Sequence, residues 1–192
     1  MPPRTLICLF DLRAYDERAA PALRAYSHDF NPALVVELLR ELAKHPSSTE
    51  NGDDFQHWID SIGPDAGYKP SEQTMAEICA MVIPGICVPK LPGLDPMQDI
   101  GKFVPWLSER SDWFADLMDG GEELAGGRLE FGFGTGRLVA TREQIIQFRG
   151  EVEEIPAPEG AWAGLAKDYT NLRGLLEQAS THADYSLLKT EF

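Results

Sequence analysis

A chain of 192 residues with 43% hydrophobic and 25% charged residues has an ordinary globular composition, long enough to bury a core without disulfides or metal. Seventeen Lys and Arg against 31 Asp and Glu leave a net charge of −14 and a pI near 4.6. That field argues against nucleic acid and an anionic membrane surface as partners and favours a basic protein.

In chain order, Thr5–Leu12 reads as a buried strand, a short apolar run of sheet-forming residues. Asp11, Arg13 and Asp16 then turn the chain outward, and Pro21–Tyr26 suits a short helix. Asn31-Pro32 starts the next helix, with Asn as N-cap and Pro at the first helical position. Leu34, Val35, Leu38, Leu39 and Leu42 follow at helical spacing, and Lys44-His45-Pro46 closes it. After a loop at 46–53, Phe55, Trp58, Ile59 and Ile62 define a helix stopped by Gly63-Pro64. Another begins near Ser71, turns Met75, Ile78, Cys79 and Val82 inward, and ends before Pro84-Gly85. Residues 84–96, with four prolines and two glycines, predict an irregular, stiff connection. Asp95-Pro96 caps a helix with Ile100, Phe103 and Val104. Ser108 or Ser111 starts the next, which carries Trp113, Phe114, Leu117 and Met118 and ends at Gly120-Gly121.

The last third is the most legible. Leu129, Phe131 and Phe133 alternate with polar or small residues, predicting a strand over 128–133 that turns at Gly134-Thr135-Gly136 into a return strand over 137–140. Thr141 and Gln144 form a capping box for a helix with Ile145, Phe148, Val152 and Ile155 on one stripe. A final helix spaces Trp162, Leu165, Tyr169, Leu172, Leu176 and Ala179 by steps of three and four. The pattern spans fewer than three heptads, so core packing against the preceding helix is the expectation, with homodimerisation through this C-terminal helix as the second reading. The expected fold is α+β, with α/β as its variant: a mostly helical single domain over 1–192, around a small sheet, with a C-terminal hairpin followed by two helices.

No pattern specifies chemistry. The run Gly132–Arg137 leads into a predicted strand, whereas a phosphate loop must lead into a helix. The histidines His28, His45, His57 and His182 form no paired motif, and the acids around Gly120-Gly121 lack calcium-loop offsets, so neither metal nor cofactor is expected. The three cysteines, Cys8, Cys79 and Cys87, sit among apolar neighbours, which predicts buried free thiols in a reducing cytoplasm. The N-terminal apolar run is too short for a signal-peptide core, and no stretch approaches the ~20 apolar residues of a membrane span.

The expectation is an acidic, soluble, cytoplasmic interaction protein of bacterial type, an inhibitor or immunity-like binder of a basic partner rather than an enzyme. Trp162, Tyr169, Trp113 and Trp106 are its candidate interface residues, because aromatics are enriched at interfaces. The alternative is an enzyme or small-molecule binder whose discontinuous pocket draws on His28, His57 and Cys87.

Overall fold

The computed structural model describes residues 5–44, 52–62, 67–98, 101–118 and 125–191. The chain divides into two compact units that do not follow sequence order. One comprises Met1–Asp11, Pro89–Leu129 and Gly134–Phe192; the other comprises Leu12–Val88 and Glu130–Phe133. The chain is a mostly helical α+β protein.

The first unit is built on a five-stranded sheet of β1 (Thr5–Asp11), β2 (Met97–Gln98), β3 (Ala125–Arg128), β4 (Thr135–Ala140) and β5 (Tyr185–Glu191), in the order β2-β1-β5-β4-β3. Every recorded pairing is antiparallel, which selects α+β over the α/β variant. β1 and β5 lie side by side at the centre, with Leu6 opposite Thr190, Cys8 opposite Leu188 and Phe10 opposite Ser186. Both strands bury their five inner residues. In β5 those residues include Ser186, Lys189 and Thr190, and buried polar groups need partners. The Ser186 hydroxyl donates to the Ala140 carbonyl at 2.6 Å, and the Lys189 ammonium pairs with the Glu191 carboxylate at 3.2 Å.

On one face of this sheet, Ile7, Leu9, Ala140 and Leu187 join a core supplied by α8 (Arg142–Glu154) and α9 (Ala166–Thr181). The capping box of α8 is present in both directions: the Thr141 hydroxyl accepts from the Gln144 N–H at 3.2 Å, and the Gln144 carbonyl accepts from the Thr141 N–H at 2.8 Å. Trp162 and Leu165 belong to a 3-10 turn, Gly160–Leu165, that leads into α9. Tyr169, Leu172, Leu176 and Ala179 are buried, so the heptad-like seam packs inside the unit. Two short helices, α6 (Phe103–Ser108) and α7 (Asp112–Met118), add an aromatic cluster in which Phe148 stacks on Trp113 at 4.2 Å and on Phe114 at 5.8 Å. Ser111 starts α7 by accepting the Phe114 N–H at 3.1 Å.

The first hairpin strand is displaced from its expected position: β3 covers 125–128 rather than 128–133. Phe133 is buried and, as part of Glu130–Phe133, belongs to the second unit. Gly134 has φ +74°, the positive value expected of the turn, and a Cβ there would lie 2.3 Å from the Glu191 carbonyl oxygen.

The second unit is helical. It contains α1 (Leu12–Ala14), a π turn over Tyr15–Ala19, α2 (Ala20–Asp29), α3 (Ala33–Leu42), α4 (Gly52–Ile62) and α5 (Glu72–Cys87). The outward turn expected at 11–16 is instead helix from Leu12 onward, because Tyr15 and Ala19 are buried residues on one side of it. α2 ends at Phe30 with φ +53°; α3 has Pro32 rather than the expected Asn31 at its N-cap, and the Asn31 side-chain carbonyl accepts the Ala33 N–H at 3.1 Å from one residue upstream. The Ser71 hydroxyl caps α5 through the Thr74 N–H at 3.0 Å. α5 runs through Pro84 to Cys87, past its expected end: the Pro84 carbonyl still accepts from Val88, so proline removes only its own donor. Gly85 allows α3 to come close, since a Cβ there would lie 2.7 Å from the Leu42 methyl carbons. The stops expected at His45-Pro46, Gly63-Pro64 and Gly120-Gly121, together with Ile100, Asp119, Glu122 and Glu123, lie outside the described residues.

Candidate binding groove

In the first unit, the segment leading to β2 lies against α9. Leu94 closes a turn on Leu91 (N–H to carbonyl, 3.1 Å) and packs onto Gly174, where a Cβ would sit 2.3 Å from the Leu94 Cδ2. Glycine in a helix interior costs about 1 kcal/mol relative to alanine, and here the close approach of Leu94 accounts for it. The Asn171 amide completes the clamp: it donates to the Asp95 carbonyl at 2.7 Å and accepts the Asp95 N–H at 3.2 Å.

Beside this clamp opens a groove of about 1010 Å³, bounded by Gly93–Met97, by Arg149, Val152 and Glu153 of α8, and by residues of α9 from Ala166 to Glu177. Its floor is the outer side of the core, at Met97, Val152 and Leu176. Its rim is charged. The Arg149 guanidinium is held by Glu153 at 2.7 Å and by the Ser180 hydroxyl at 2.7 Å. Arg173 lies over the Tyr169 ring, 5.8 Å from its centroid. Among the described residues, no ion pair engages Asp95, Asp168, Glu177 or Lys167. The Thr170 hydroxyl is engaged within its own helix, donating to the Ala166 carbonyl at 2.8 Å.

A second polar cluster belongs to the helical unit. The Tyr15 hydroxyl donates to the Phe131 carbonyl at 3.0 Å and accepts the Phe131 N–H at 2.8 Å. Burial pushes the Tyr15 phenol above its ordinary pKa, opposed by the hydrogen bond to Phe131 and reinforced by Glu130. Glu130 is held below the usual carboxylate range, first by its hydrogen bond from Arg24, with a further lowering contribution from the charge of His28. Both carboxylate and guanidinium are solvent-exposed, so this pair contributes little to stability.

Burial redistributes the residues expected to form an interface. Trp106, Trp113 and Tyr169 are 2%, 4% and 4% exposed, in the core of the first unit, and only Trp162, at 41%, stands at a surface. Tyr169 donates to the Val152 and Ile155 carbonyls at 3.1 and 2.6 Å, which ties α9 to the end of α8. Among the described residues the buried Trp113 indole N–H has no hydrogen-bond partner, and the ring packs by stacking on Phe148. Large aromatics signal interiors as well as interfaces, and composition does not separate the two.

Of the alternative pocket residues, Cys87 is fully buried on α5, while His28 and His57 are exposed on α2 and α4, His57 edge-on to Trp58 at 5.9 Å. None of the three lines the groove. Among the described residues no group of three or more His, Cys, Asp or Glu is placed to hold a metal ion, and no helix is long and apolar enough to cross a membrane. All three cysteines are buried as thiols, and burial pushes the Cys8 thiol up to about 12.

The groove residues Asp95, Asp168, Asn171 and Glu177 carry no sequence motif; the one signal was Gly174, a glycine in the middle of a strongly patterned helix. No protein family, curated protein or solved structure matches the chain.

Proposed function

We propose that this chain is an interaction protein that docks a basic protein partner, in the manner of an inhibitor or immunity protein, in a cytoplasmic setting. The observation that carries this reading is the net charge of −14, together with a groove on whose rim the carboxylates Asp95, Asp168 and Glu177, interspersed with Lys167 and Arg173, have no ion pair among the described residues. A long-range negative field raises the rate at which a positive partner arrives, and unengaged carboxylates offer it short contacts on arrival. Three buried thiols suit a reducing compartment.

The test is a binding panel of folded basic proteins with acidic proteins of matched size, measured at low and high ionic strength. Binding confined to basic members and weakening with salt is expected. A panel in which acidic and basic members behave alike, or in which salt has no effect, rejects the proposal.

A further inference from the structure

In the helical unit, α1, the π turn and α2 run on as one helical stretch with a proline inside it. Pro21 has no N–H, and in an unbroken α-helix its ring would press on the carbonyl four residues back, that of Glu17. The π turn over Tyr15–Ala19 lies just before this proline, and the Ala20 N–H reaches back past Asp16 to the Tyr15 carbonyl. Such a turn takes one extra residue into the helix, which rotates the side chains before it against those after it by about 100°. Tyr15 opens the turn and Arg24 lies beyond it, nine residues on. In a continuous α-helix that spacing would put the two on opposite faces, ~180° apart; with one residue absorbed, the angle falls to ~80°. Both side chains then reach the same short segment. The Tyr15 hydroxyl holds both backbone groups of Phe131, and the Arg24 guanidinium holds the carboxylate of the neighbouring Glu130.

We propose that the π turn is a phase-setting device: Pro21 imposes it, and it brings Tyr15 and Arg24 to one side of the helix as a two-point latch on Glu130–Phe131. The latch is thereby coupled to helical register. A one-residue slip that converts the π turn to α carries Tyr15 away from Phe131, while Arg24 keeps its place because α2 is fixed by buried Ala22, Leu23 and Tyr26. The closed state is held at the two ends of the turn, where Tyr15 and Ala19 are buried; Asp16, Glu17 and Arg18 between them are exposed.

The experiment follows amide exchange in the full chain by NMR at Phe131 and at Val36, whose N–H is bonded to the Pro32 carbonyl at the start of α3. Pro21→Ala supplies the missing N–H and removes the ring, so the stretch is expected to relax to α. Exchange at Phe131 then rises about tenfold or more, while Val36 stays as it was. Deleting Asp16 from that variant takes out the extra residue and leaves Tyr15 and Arg24 about 80° apart in plain α geometry, which is expected to restore Phe131 to within about twofold of the parent. In an ordinary helix a deletion turns one half against the other and breaks contacts, so this rescue is a result that a merely structural proline does not give. Unchanged exchange at Phe131 in Pro21→Ala overturns the inference, as does a double variant in which Phe131 stays fast. If Pro21→Ala speeds Phe131 and Val36 together, recovery of both on deletion supports the latch, and no recovery overturns it.

Discussion

The two units were assembled by different rules. The helical unit is nearly one continuous stretch, Leu12–Val88, and its elements announce themselves locally: Asn31 before α3, Ser71 before α5, apolar stripes at helical spacing. The sheet unit draws on three separated stretches, and its two central strands are Thr5–Asp11 and Tyr185–Glu191, from near opposite ends of the chain. Helical contacts form between near neighbours in sequence, whereas the β1–β5 ladder closes a loop of almost the whole chain before any of its pairs is made. A sequence therefore shows the first kind of unit more readily than the second.

The largest expected effect probes the sheet unit. Phe148→Ala removes a fully buried ring stacked on Trp113 and Phe114 and is expected to cost about 3–5 kcal/mol in urea unfolding, with loss of the near-ultraviolet aromatic signal. A cost under about 1 kcal/mol would show that the aromatic cluster is not the core that holds this unit. Next comes the helical unit, where one side chain satisfies a distant backbone. Tyr15→Phe leaves the N–H and carbonyl of Phe131 without their partner and is expected to cost about 1–3 kcal/mol, detected as faster amide exchange at Phe131. Unchanged exchange there would mean that water replaces the hydroxyl.

The smallest effect at neutral pH concerns Cys8 on β1. Its folded pKa, near 12, lies above the unfolded value of about 8.5, so the folded state keeps the proton that the unfolded state gives up. Stability attributable to this thiol is thus complete below pH ~8.5 and declines as the pH rises toward 12, at up to about 1.4 kcal/mol per pH unit. Unfolding curves between pH 8 and 10 are expected to slope less in Cys8→Ala than in the parent, and parallel slopes would place the thiol in water.

The elements with local chemistry were legible from the residues alone. The Thr141–Gln144 box, the positive φ of Gly134, the Ser71 cap and the buried face of Tyr169, Leu172, Leu176 and Ala179 appear where sequence reasoning puts them, because caps, positive φ and 3.6-residue periodicity depend only on near neighbours; Trp162, expected on that same face, instead stands exposed in the turn before α9. Tertiary structure alone decided the rest. β5 is hidden in the sequence because Ser186 and Lys189 look solvated until Ala140 and Glu191 supply their partners. Phe131 and Phe133 alternate like a strand yet serve the helical unit, and Trp106 and Trp113 are interior rather than interface. The groove, too, exists only where Leu94 meets Gly174 and Asp95 meets Asn171, pairs separated by about eighty residues of chain. Local propensity reports what a segment prefers by itself; which face is buried, and what stands opposite it, is settled by contacts between segments that no window of sequence contains.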